Sequence, residues 1–338
     1  MKYYIVVWKN IQKYNMYFKV NASSVSALCR RHRHTTYESA IEPLIPSDVL
    51  VRMKKAYVDN MSSSSSDEED IMPPLPQTRT ERLAQHKKMV HQSSSSLANL
   101  NAFVEKKSIS TQDIAQVAQA CTMSTMAGPL DGLSSPTQKE MAEAVRSVAF
   151  CKRGTHLESE TINILHKFWS GHEGIDVLSK PGGILRRVMY FSAAEDQVEH
   201  NAWNSIEEMQ TCGISPPYYS ITGRADALMK DHETGDMRGI IEIKNRMYKF
   251  STIGSAPLYD MDQLCIYMML FQNIPYGYLA EQYDGDVVPS VEMMTLEDAR
   301  DRWSSVLKPA LDSAIRDVQH MCDDPTSSRS RRFISCAL

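Results

Sequence analysis

The sequence lacks the features of membrane-spanning and exported proteins. It has no run of eighteen apolar residues, so no transmembrane helix is expected. The N-terminal stretch, MKYYIVVWKNIQKYN, has a short apolar core without a small-residue cleavage site, so it does not match a secretory signal. It also lacks the Arg- and Ser-rich amphipathic character of a transit peptide. We therefore expect an intracellular protein, either cytoplasmic or nuclear.

Cysteine pairs at cluster-binding spacing are also missing. The seven cysteines are scattered and include no C-x-x-C pair, which argues against an iron–sulfur site. Their odd number argues against a disulfide framework, and reduced thiols are expected. Cys29, His32 and His34 are close enough in sequence to suggest zinc. No fourth ligand accompanies them, and loop histidines are the commoner case.

An excess of positive charge is absent as well. The 37 Lys and Arg are outnumbered by 41 Asp and Glu, which gives a formal net charge of −4. Any contact with nucleic acid must therefore depend on local basic patches. Such patches occur in CRRHRH (29–34), CKRG (151–154), KNRMYK (244–249) and SRSRRF (328–333). Each of them alone is better explained as a solvated surface.

Four segments of the 338 residues differ in composition. Residues 1–54 contain two runs, 2–8 and 14–20, that predict strands, and NASSVSALCRR then predicts a helix. Residues 55–136 are rich in Ser, Pro and acidic residues and predict a largely disordered linker or insertion, in which helix could persist at 78–91 or 110–121. A compact core is expected at 137–322, and a flexible basic tail at 323–338.

Helical and strand patterns alternate within the core. Helices are predicted for SPTQKEMAEAVRSVAF, for GTHLESETINILHKFW beginning near Gly154, for 258–273, and for a long C-terminal segment interrupted at Pro309. Strands are predicted at 186–192, 218–229 and 238–247 and in YGYLAEQY. This order predicts an α/β fold with a mixed central β-sheet, containing a hairpin, flanked by helices.

The hairpin segment ITGRADALMKDHETGDMRGIIEIKNR (221–246) carries two carboxylates in apolar surroundings. Pairing about a turn centred near Thr234 places Asp226 opposite Glu242, with Cβ atoms roughly 4.5–5.5 Å apart. Carboxylates that close repel each other unless a cation lies between them or one is protonated. A hard divalent cation such as Mg²⁺, with Mn²⁺ as a substitute, is what such a pair accepts.

Lys244 gives this hairpin a third chemical group. Strand side chains alternate between faces, so Lys244 points the same way as Glu242. An ammonium there could orient a water or stabilise charge on a phosphoryl oxygen. Two carboxylates and a lysine around Mg²⁺ are components for phosphodiester hydrolysis. The plain alternative is a cross-strand ion pair on an exposed hairpin face.

Two predicted helices add further candidates. Gln263 and Tyr267 are polar-tipped residues at i and i+4 on one face of the apolar 258–273 segment. Glu158 lies in the first turn of the helix predicted to begin near Gly154, where it could bring a third carboxylate to the hairpin. The plain alternatives are a helix edge meeting solvent for the first pair and a favourable first-turn acid for Glu158.

These motifs together resemble the PD-(D/E)XK nuclease superfamily, and within it the phage lambda exonuclease and RecB-like (YqaJ-type) group. The resemblance covers about 150–285 and rests on four motifs in order: Gly154–Glu158, Gly223–Asp226, Glu242–Lys244 and Gln263–Tyr267. VNASSVSAL (20–28) is similar to the group's T-A-S-x-V segment near the DNA 5′ end. Ala225 departs from the proline of many relatives, and the long segment 55–135 is unusual.

The resemblance implies a restriction-endonuclease-like fold and metal-dependent cleavage of DNA. Asp226 and Glu242 would bind Mg²⁺ together with the backbone carbonyl of Ile243. Glu158 would complete the ligand set, directly or through water.

The remaining motif residues would act on the water and the DNA. Lys244 would position the attacking water, and Gln263 and Tyr267 would hold the lysine or a phosphate. The candidates for DNA contact are Ser23, Arg30, Arg31, Arg224 and Arg246.

Several functions share these residues. The resemblance favours an exonuclease that processes duplex ends in recombination, repair or replication, often for a virus, with a homo-oligomer or a single-strand annealing partner as further options. A structure-specific endonuclease would use the same site. A catalytically silent DNA-binding or scaffold protein would keep the fold alone. A regulatory or RNA-modifying protein that uses the serine-acidic segment as a switch has only that segment in its favour.

Overall fold

The computed structural model describes residues 17–62, 75–106, 109–125, 135–179, 186–194, 202–246, 256–283 and 288–338. Its strands are β1 (Tyr17–Asn21), β2 (Ile175–Leu178), β3 (Arg186–Ser192), β4 (Tyr218–Arg224), β5 (Ala227–Asp231), β6 (Met237–Arg246), β7 (Tyr276–Tyr283) and β8 (Ser290–Thr295). Its helices are α1 (Ala22–Leu28), α2 (Tyr37–Ile41), α3 (Ser47–Ser62), α4 (Arg79–Gln92), α5 (Ser94–Val104), α6 (Thr111–Thr125), α7 (Ser135–Glu173), α8 (Ile206–Thr211), α9 (Leu258–Phe271), α10 (Leu296–Arg302), α11 (Lys308–Asp323) and α12 (Ser328–Ala337). None of the helices in these ranges is both long and apolar enough to cross a membrane.

A mixed five-stranded sheet, in the order β2-β5-β6-β7-β8, forms the centre of the fold. Its central strand β6 pairs antiparallel with β5 and parallel with β7. The two outer pairs, β2 with β5 and β7 with β8, are antiparallel. The predicted α/β fold with a mixed sheet flanked by helices is confirmed.

A second, three-stranded sheet has the order β1-β4-β3. Strand β1, part of the run predicted at 14–20, pairs parallel with β4, although about 200 residues separate them. The strand predicted at 218–229 is two strands, because the chain leaves the small sheet at Arg224 and joins the large sheet at Ala227. Each half therefore finds different partners, and Ala225 and Asp226 form the junction between the sheets. The strand predicted at 2–8 lies outside the described residues.

Helices cover the two faces of the large sheet. Strand alternation sends Ile240 to one face and Ile241 to the other. Helix α9 packs on the Ile240 side through Leu264 and shares one hydrophobic core with the small sheet. The C-terminal half of α7 packs on the Ile241 side through residues that include Leu165 and Trp169. The polar side chains of β6 that share a face with Ile240 therefore lie between the sheet and α9.

Residues 55–136 are mostly helical where the structure describes them, which corrects the prediction of a largely disordered linker. Helices α4, α5 and α6 and the first half of α7 bury a shared apolar cluster. Its fully buried members are Val90, Leu100, Cys121, Met141, Val145 and Ala149. A single short helix cannot bury its own apolar side, so the averaged composition concealed a core that only the four helices together create. The ranges 63–74 and 126–134 lie outside the described residues.

The C-terminal residues are also ordered differently from the prediction. Residues 328–337 form α12, with Phe333 and Ile334 buried in the main core, so the predicted flexible tail is corrected. The long C-terminal helix is interrupted just before Pro309 by a π-helical turn, Trp303–Leu307. Because proline lacks an N–H, it cannot continue the i→i−4 ladder, and the turn widens at that point.

Candidate active site

Asp226 lies at the junction between β4 and β5, beside the end of β6. The β5–β6 ladder pairs Ala227 with Ile241, and one further step sets Asp226 opposite Glu242, as the hairpin symmetry predicted. A bulge in β5 changes the register by one residue nearer the turn. Oδ2 of Asp226 accepts the backbone N–H of Ile243 at 2.7 Å. The carboxylate therefore takes up a backbone donor of β6 at the point where the β5 strand begins.

Glu242, Lys244, Gln263 and Tyr267 form one hydrogen-bonded network between β6 and α9. Nζ of Lys244 donates to Oε1 of Glu242 at 2.6 Å and to Oε1 of Gln263 at 3.0 Å. Nε2 of Gln263 donates to the same glutamate oxygen at 2.8 Å and to the Tyr267 hydroxyl at 2.7 Å. Both ends of the amide are thus engaged, which fixes the orientation of Gln263 and, through it, the ammonium.

Burial dominates the electrostatics of this network. Burial first, and then the charge of Glu242, raise the pKa of Asp226 to about 8. Burial also raises the pKa of Glu242, although Lys244 opposes this shift. Desolvation acts to lower the pKa of Lys244, but the charges of Glu242 and Asp260 outweigh it and raise that pKa. The two carboxyls therefore share a tendency to hold a proton, while the lysine stays charged.

Asp226→Asn is expected to weaken the pH dependence of stability in the metal-free protein. The unfolded chain releases the Asp226 proton near pH 3.9, whereas the folded chain keeps it to about pH 8. The contribution of Asp226 to the free energy of unfolding should therefore be highest below about pH 4. It should fall as pH rises toward about 8, by at most about 1.4 kcal/mol per pH unit. Urea unfolding in EDTA at several pH values measures this slope. A slope unchanged by the substitution would contradict the shifted carboxyl.

A second layer of charges, which the sequence reading missed, lies behind the lysine. Oδ1 of buried Asp260 is 3.6 Å from Nζ of Lys244, and its other oxygen pairs with Arg246. Nε of Arg246 also donates to Oε1 of Glu281 at 2.5 Å. Asp260 could have been found, because it lies three residues before Gln263 and therefore on the same side of α9. Arg246, predicted to contact DNA, instead lies between two carboxylates within the protein.

Gly154 does not begin a helix, which corrects the sequence prediction. Helix α7 runs unbroken through it. The Gly154 carbonyl accepts Nδ2 of Asn245 at 3.1 Å, and Oγ1 of Thr161 donates to Oδ1 of Asn245 at 2.9 Å. This stretch of α7 is therefore held against the strand residue that follows Lys244.

Glu158 lies on that stretch, between Gly154 and Thr161, and is half-buried. It is not a first-turn acid, because the helix begins more than twenty residues earlier, at Ser135. Within the described part of the chain, no three His, Cys, Asp or Glu side chains form a group suited to a metal ion. The structure therefore places Glu158 near the end of β6 without gathering it into a cluster with Asp226 and Glu242.

Ser23 and Arg224, two of the predicted DNA contacts, line one cavity beside the network. The cavity has a volume of about 310 Å³, and Arg186 and Tyr267 also line it. Its two arginines come from the ends of paired strands, since Arg186 pairs with Arg224 in the β3–β4 ladder. Arg186 was not singled out from the sequence, because nothing local links it to the motifs. The cavity joins the N-terminal VNASS segment to the candidate site.

Arg30 and Arg31 are placed differently from Arg224. The Arg30 guanidinium stacks 4.3 Å from the ring centroid of Tyr37. Nε of Arg31 donates to the fully buried Asp262 at 2.9 Å. Both guanidinium groups are therefore engaged within the protein. Their roles as phosphate contacts remain predictions.

Gly223→Ala is expected to destabilise the protein and disturb Tyr267. A Cβ at position 223 would lie 2.6 Å from Cδ1 of Leu270 and 2.7 Å from Cε1 of Tyr267. Overpacking of this kind costs about 1–3 kcal/mol. Urea unfolding measures the loss of stability. Gly213→Ala is the control, because φ at Gly213 is +75° and strains a side chain there, but no atom lies within 4 Å of the added Cβ. Equal effects of both variants would argue against the steric explanation.

The oxygen atoms of the Asp226 and Glu242 carboxyls are suitable ligands for a divalent cation. Oε2 of Glu242 is buried and has no hydrogen-bond partner in the described ranges. Asp226 lies close enough to Glu242 for the charge of Glu242 to raise its pKa. An orphaned buried oxygen beside a second carboxyl is costly without a cation or a proton. Asp226 and Glu242 would hold such a cation.

Comparisons with known proteins find similarity only among solved structures. No family model and no curated protein matches the chain. A crystal structure of an alkaline exonuclease (LHK-Exo) from Laribacter hongkongensis has 13% identity and a TM-score of 0.31, and the match covers 70% of this chain and 94% of that one. A crystal structure of SSO0001 has 14% identity and a TM-score of 0.26, covering 84% and 89%. At such low TM-scores, neither similarity carries an argument about this chain.

Proposed function

We propose that the protein is a Mg²⁺-dependent deoxyribonuclease that cleaves phosphodiester bonds at DNA ends. The observation that supports it best is the assembly of Asp226, Glu242 and Lys244 at the end of one hairpin, with Gln263 holding the lysine. These groups come from β6, α9 and the β4–β5 junction. A plain ion pair on a solvated hairpin would be exposed to water and would not be buried between these elements. The burial of Glu242 argues against that simpler reading.

The carboxyls supply the metal-binding part of the site. Asp226 and Glu242 would hold Mg²⁺, or Mn²⁺ in its place, with the Ile243 carbonyl and Glu158 as further proposed ligands. A bound divalent cation would polarise a phosphoryl oxygen and lower the pKa of a water. Its charge would also favour the ionised form of both acids, against the upward pKa shifts that burial causes.

Lys244 positions the attacking water and offsets negative charge on the phosphoryl group. Its ammonium stays protonated, because Glu242 and Asp260 raise its pKa. Gln263 limits its movement, and the Tyr267 hydroxyl offers a donor to a phosphate oxygen. In hydrolysis the water gives up one proton to solvent, and its oxygen forms a new bond to phosphorus. The bond to the leaving oxygen breaks, and that oxygen takes up a proton from solvent.

The cavity beside Tyr267 is proposed to hold the DNA backbone. Ser23, Arg186 and Arg224 line it, and arginine forks suit phosphate oxygens. The resemblance to the lambda exonuclease group, rather than these contacts, favours cleavage from an end and a role in recombination, repair or replication.

The test uses purified full-length protein with matched linear and closed-circular duplex DNA. Loss of the linear form alone, in Mg²⁺ and not in EDTA, is the expected result. Nicking of the circle would replace the exonuclease mode with an endonuclease mode. Binding without cleavage of either form, in Mg²⁺ or Mn²⁺, would contradict the enzymatic proposal and favour a silent DNA-binding protein.

A further inference from the structure

Three aromatic rings cluster on the surface at the start of α9. The rings of His32 and Tyr259 are 4.6 Å apart between centroids. His34 lies edge-on to both, at 6.2 Å from each. His34 is exposed, whereas the other two are partly buried. The exposed Arg33 lies between the two histidines in sequence, so the loop presents rings and a cation together.

Helix geometry connects this cluster to the candidate active site. Tyr259, Gln263 and Tyr267 are spaced at i, i+4 and i+8 and follow one side of α9, with about 6 Å between successive turns. Gln263 contacts Lys244, and Tyr267 lines the arginine-bearing cavity. The ring cluster therefore lies one helical turn from Gln263, on the side opposite that cavity.

The electrostatics of His32 support the same placement. Burial and the neighbouring His34 lower the pKa of His32, and the more distant charges of Asp260 and Lys244 also act on it. The charge of Lys244 therefore reaches the His32 ring.

Hydrogen bonds fix the His32 ring as a neutral platform. Its Nδ1 accepts the backbone N–H of His34 at 3.1 Å and of Thr35 at 2.9 Å. Nδ1 therefore carries no proton, and the ring orientation is set by the loop. This use of Nδ1 also argues against the zinc reading. No group of three metal-ligating side chains is found among the residues that the structure describes, and Cys29 is buried with its thiol directed to the Leu307 carbonyl.

We propose that His34, His32 and Tyr259 form a stacking site for an unpaired nucleobase of the strand under cleavage. The proposal rests on the proposed nuclease function and adds a binding site for a base to it. Aromatic side chains bind single strands by stacking with the bases, because every base has a π-face. With the arginine-lined cavity at one end of the α9 row and the rings at the other, a strand would pass Lys244 between a phosphate site and a base site. Arg33 would contact the backbone beside the stacked base.

His34→Ala tests the site without threatening the fold, because His34 is exposed and its backbone N–H bond to His32 is retained. The full-length protein is titrated in EDTA with single-stranded oligonucleotides that carry 2-aminopurine at one of the terminal positions. Stacking quenches this fluorescent base. The wild type should quench it at a particular position, and His34→Ala should reduce the quenching and weaken binding about tenfold.

Two matched variants separate stacking from a merely structural effect. His34→Phe keeps a ring without a titratable group and should restore both quenching and affinity. His232→Ala removes an exposed histidine at the far turn of the hairpin and should change neither. An abasic nucleotide at the quenched position should weaken binding to the wild type but make no further difference to His34→Ala.

The outcomes are distinguishable. Equal affinity of the wild type and His34→Ala for the intact strand, or an equal loss on intact and abasic strands, would overturn the stacking site. If the wild type still cleaved DNA in Mg²⁺ in that case, the proposed function would stand without it. A wild type that neither binds nor cleaves any DNA would overturn both proposals.

Discussion

Lys244→Ala is expected to lower Mg²⁺-dependent cleavage of linear DNA by about 10³-fold. The substitution removes the cation that Gln263 holds beside Glu242. No other described cation is hydrogen-bonded to both Gln263 and Glu242. DNA binding should survive, because the arginine-lined cavity is unchanged. Single-turnover cleavage at saturating protein measures the chemical step, and a filter or anisotropy assay measures binding.

The matched control for this experiment is Lys230→Ala on the neighbouring strand. Lys230 lies at the far end of the hairpin from Asp226 and should be dispensable for cleavage. Lys244→Ala leaves Glu242 buried beside Asp226 without its counter-ion, so thermal unfolding must accompany the assay. If the variant does not fold, Asp226→Asn tests the site instead, since it removes a proposed metal ligand together with a repulsive buried charge. Near-wild-type cleavage by folded Lys244→Ala would contradict the proposed role of the lysine.

Asp262→Ala is expected to destabilise the protein by about 3 kcal/mol, the lower end of the range for breaking a buried ion pair. Asp262 is fully buried. One of its oxygens accepts Ser26 Oγ and Arg31 Nε, both at 2.9 Å. The other accepts Nε of Arg302 at 2.8 Å. The substitution would leave the buried Ser26 hydroxyl without this acceptor and remove the link between α1, α9 and α10.

Urea unfolding of Asp262→Ala and of a surface control measures this contribution. Glu143→Ala removes the carboxylate of an exposed pair with Arg79, whose two side chains are 44% and 45% exposed. That loss should be below about 1 kcal/mol. Similar losses in both variants would show that burial adds nothing to the Asp262 network. Because Asp262 precedes Gln263 on α9, we also expect Asp262→Ala to lower the cleavage rate by displacing Gln263 and Lys244.

Short-range relationships were the ones that the sequence predicted well. The register of Asp226 and Glu242 followed from the symmetry of one hairpin, and a bulge compensated for the true position of the turn. The i, i+4 relationship of Gln263 and Tyr267 followed from the helical period, and the two side chains are hydrogen-bonded. Such contacts are encoded within about twenty residues, where strand alternation and helix geometry leave few options.

Long-range relationships were missed or wrong for the complementary reason. The local sequence around Gly154 suggests a helix start, but packing against β2, β6 and the α4–α6 cluster makes α7 continuous. Arg246 resembles a basic surface residue in the sequence, yet Asp260 and Glu281 approach it from two other elements. A residue's charge can be read from the sequence, but its partner across the fold cannot.

The sequence by itself determined the residue types of the candidate site, their order and the hairpin that pairs two acids beside a lysine, because these depend on local spacing. The tertiary structure alone decided which groups meet beyond that hairpin. Parallel pairing of β1 with β4 brings Ser23 to Arg224 across about two hundred residues. The loop after α1 brings His32 and His34 to Tyr259 across a comparable separation. These contacts arise only when both sheets close around α9, since no local pattern specifies which distant strand or loop will fill that space.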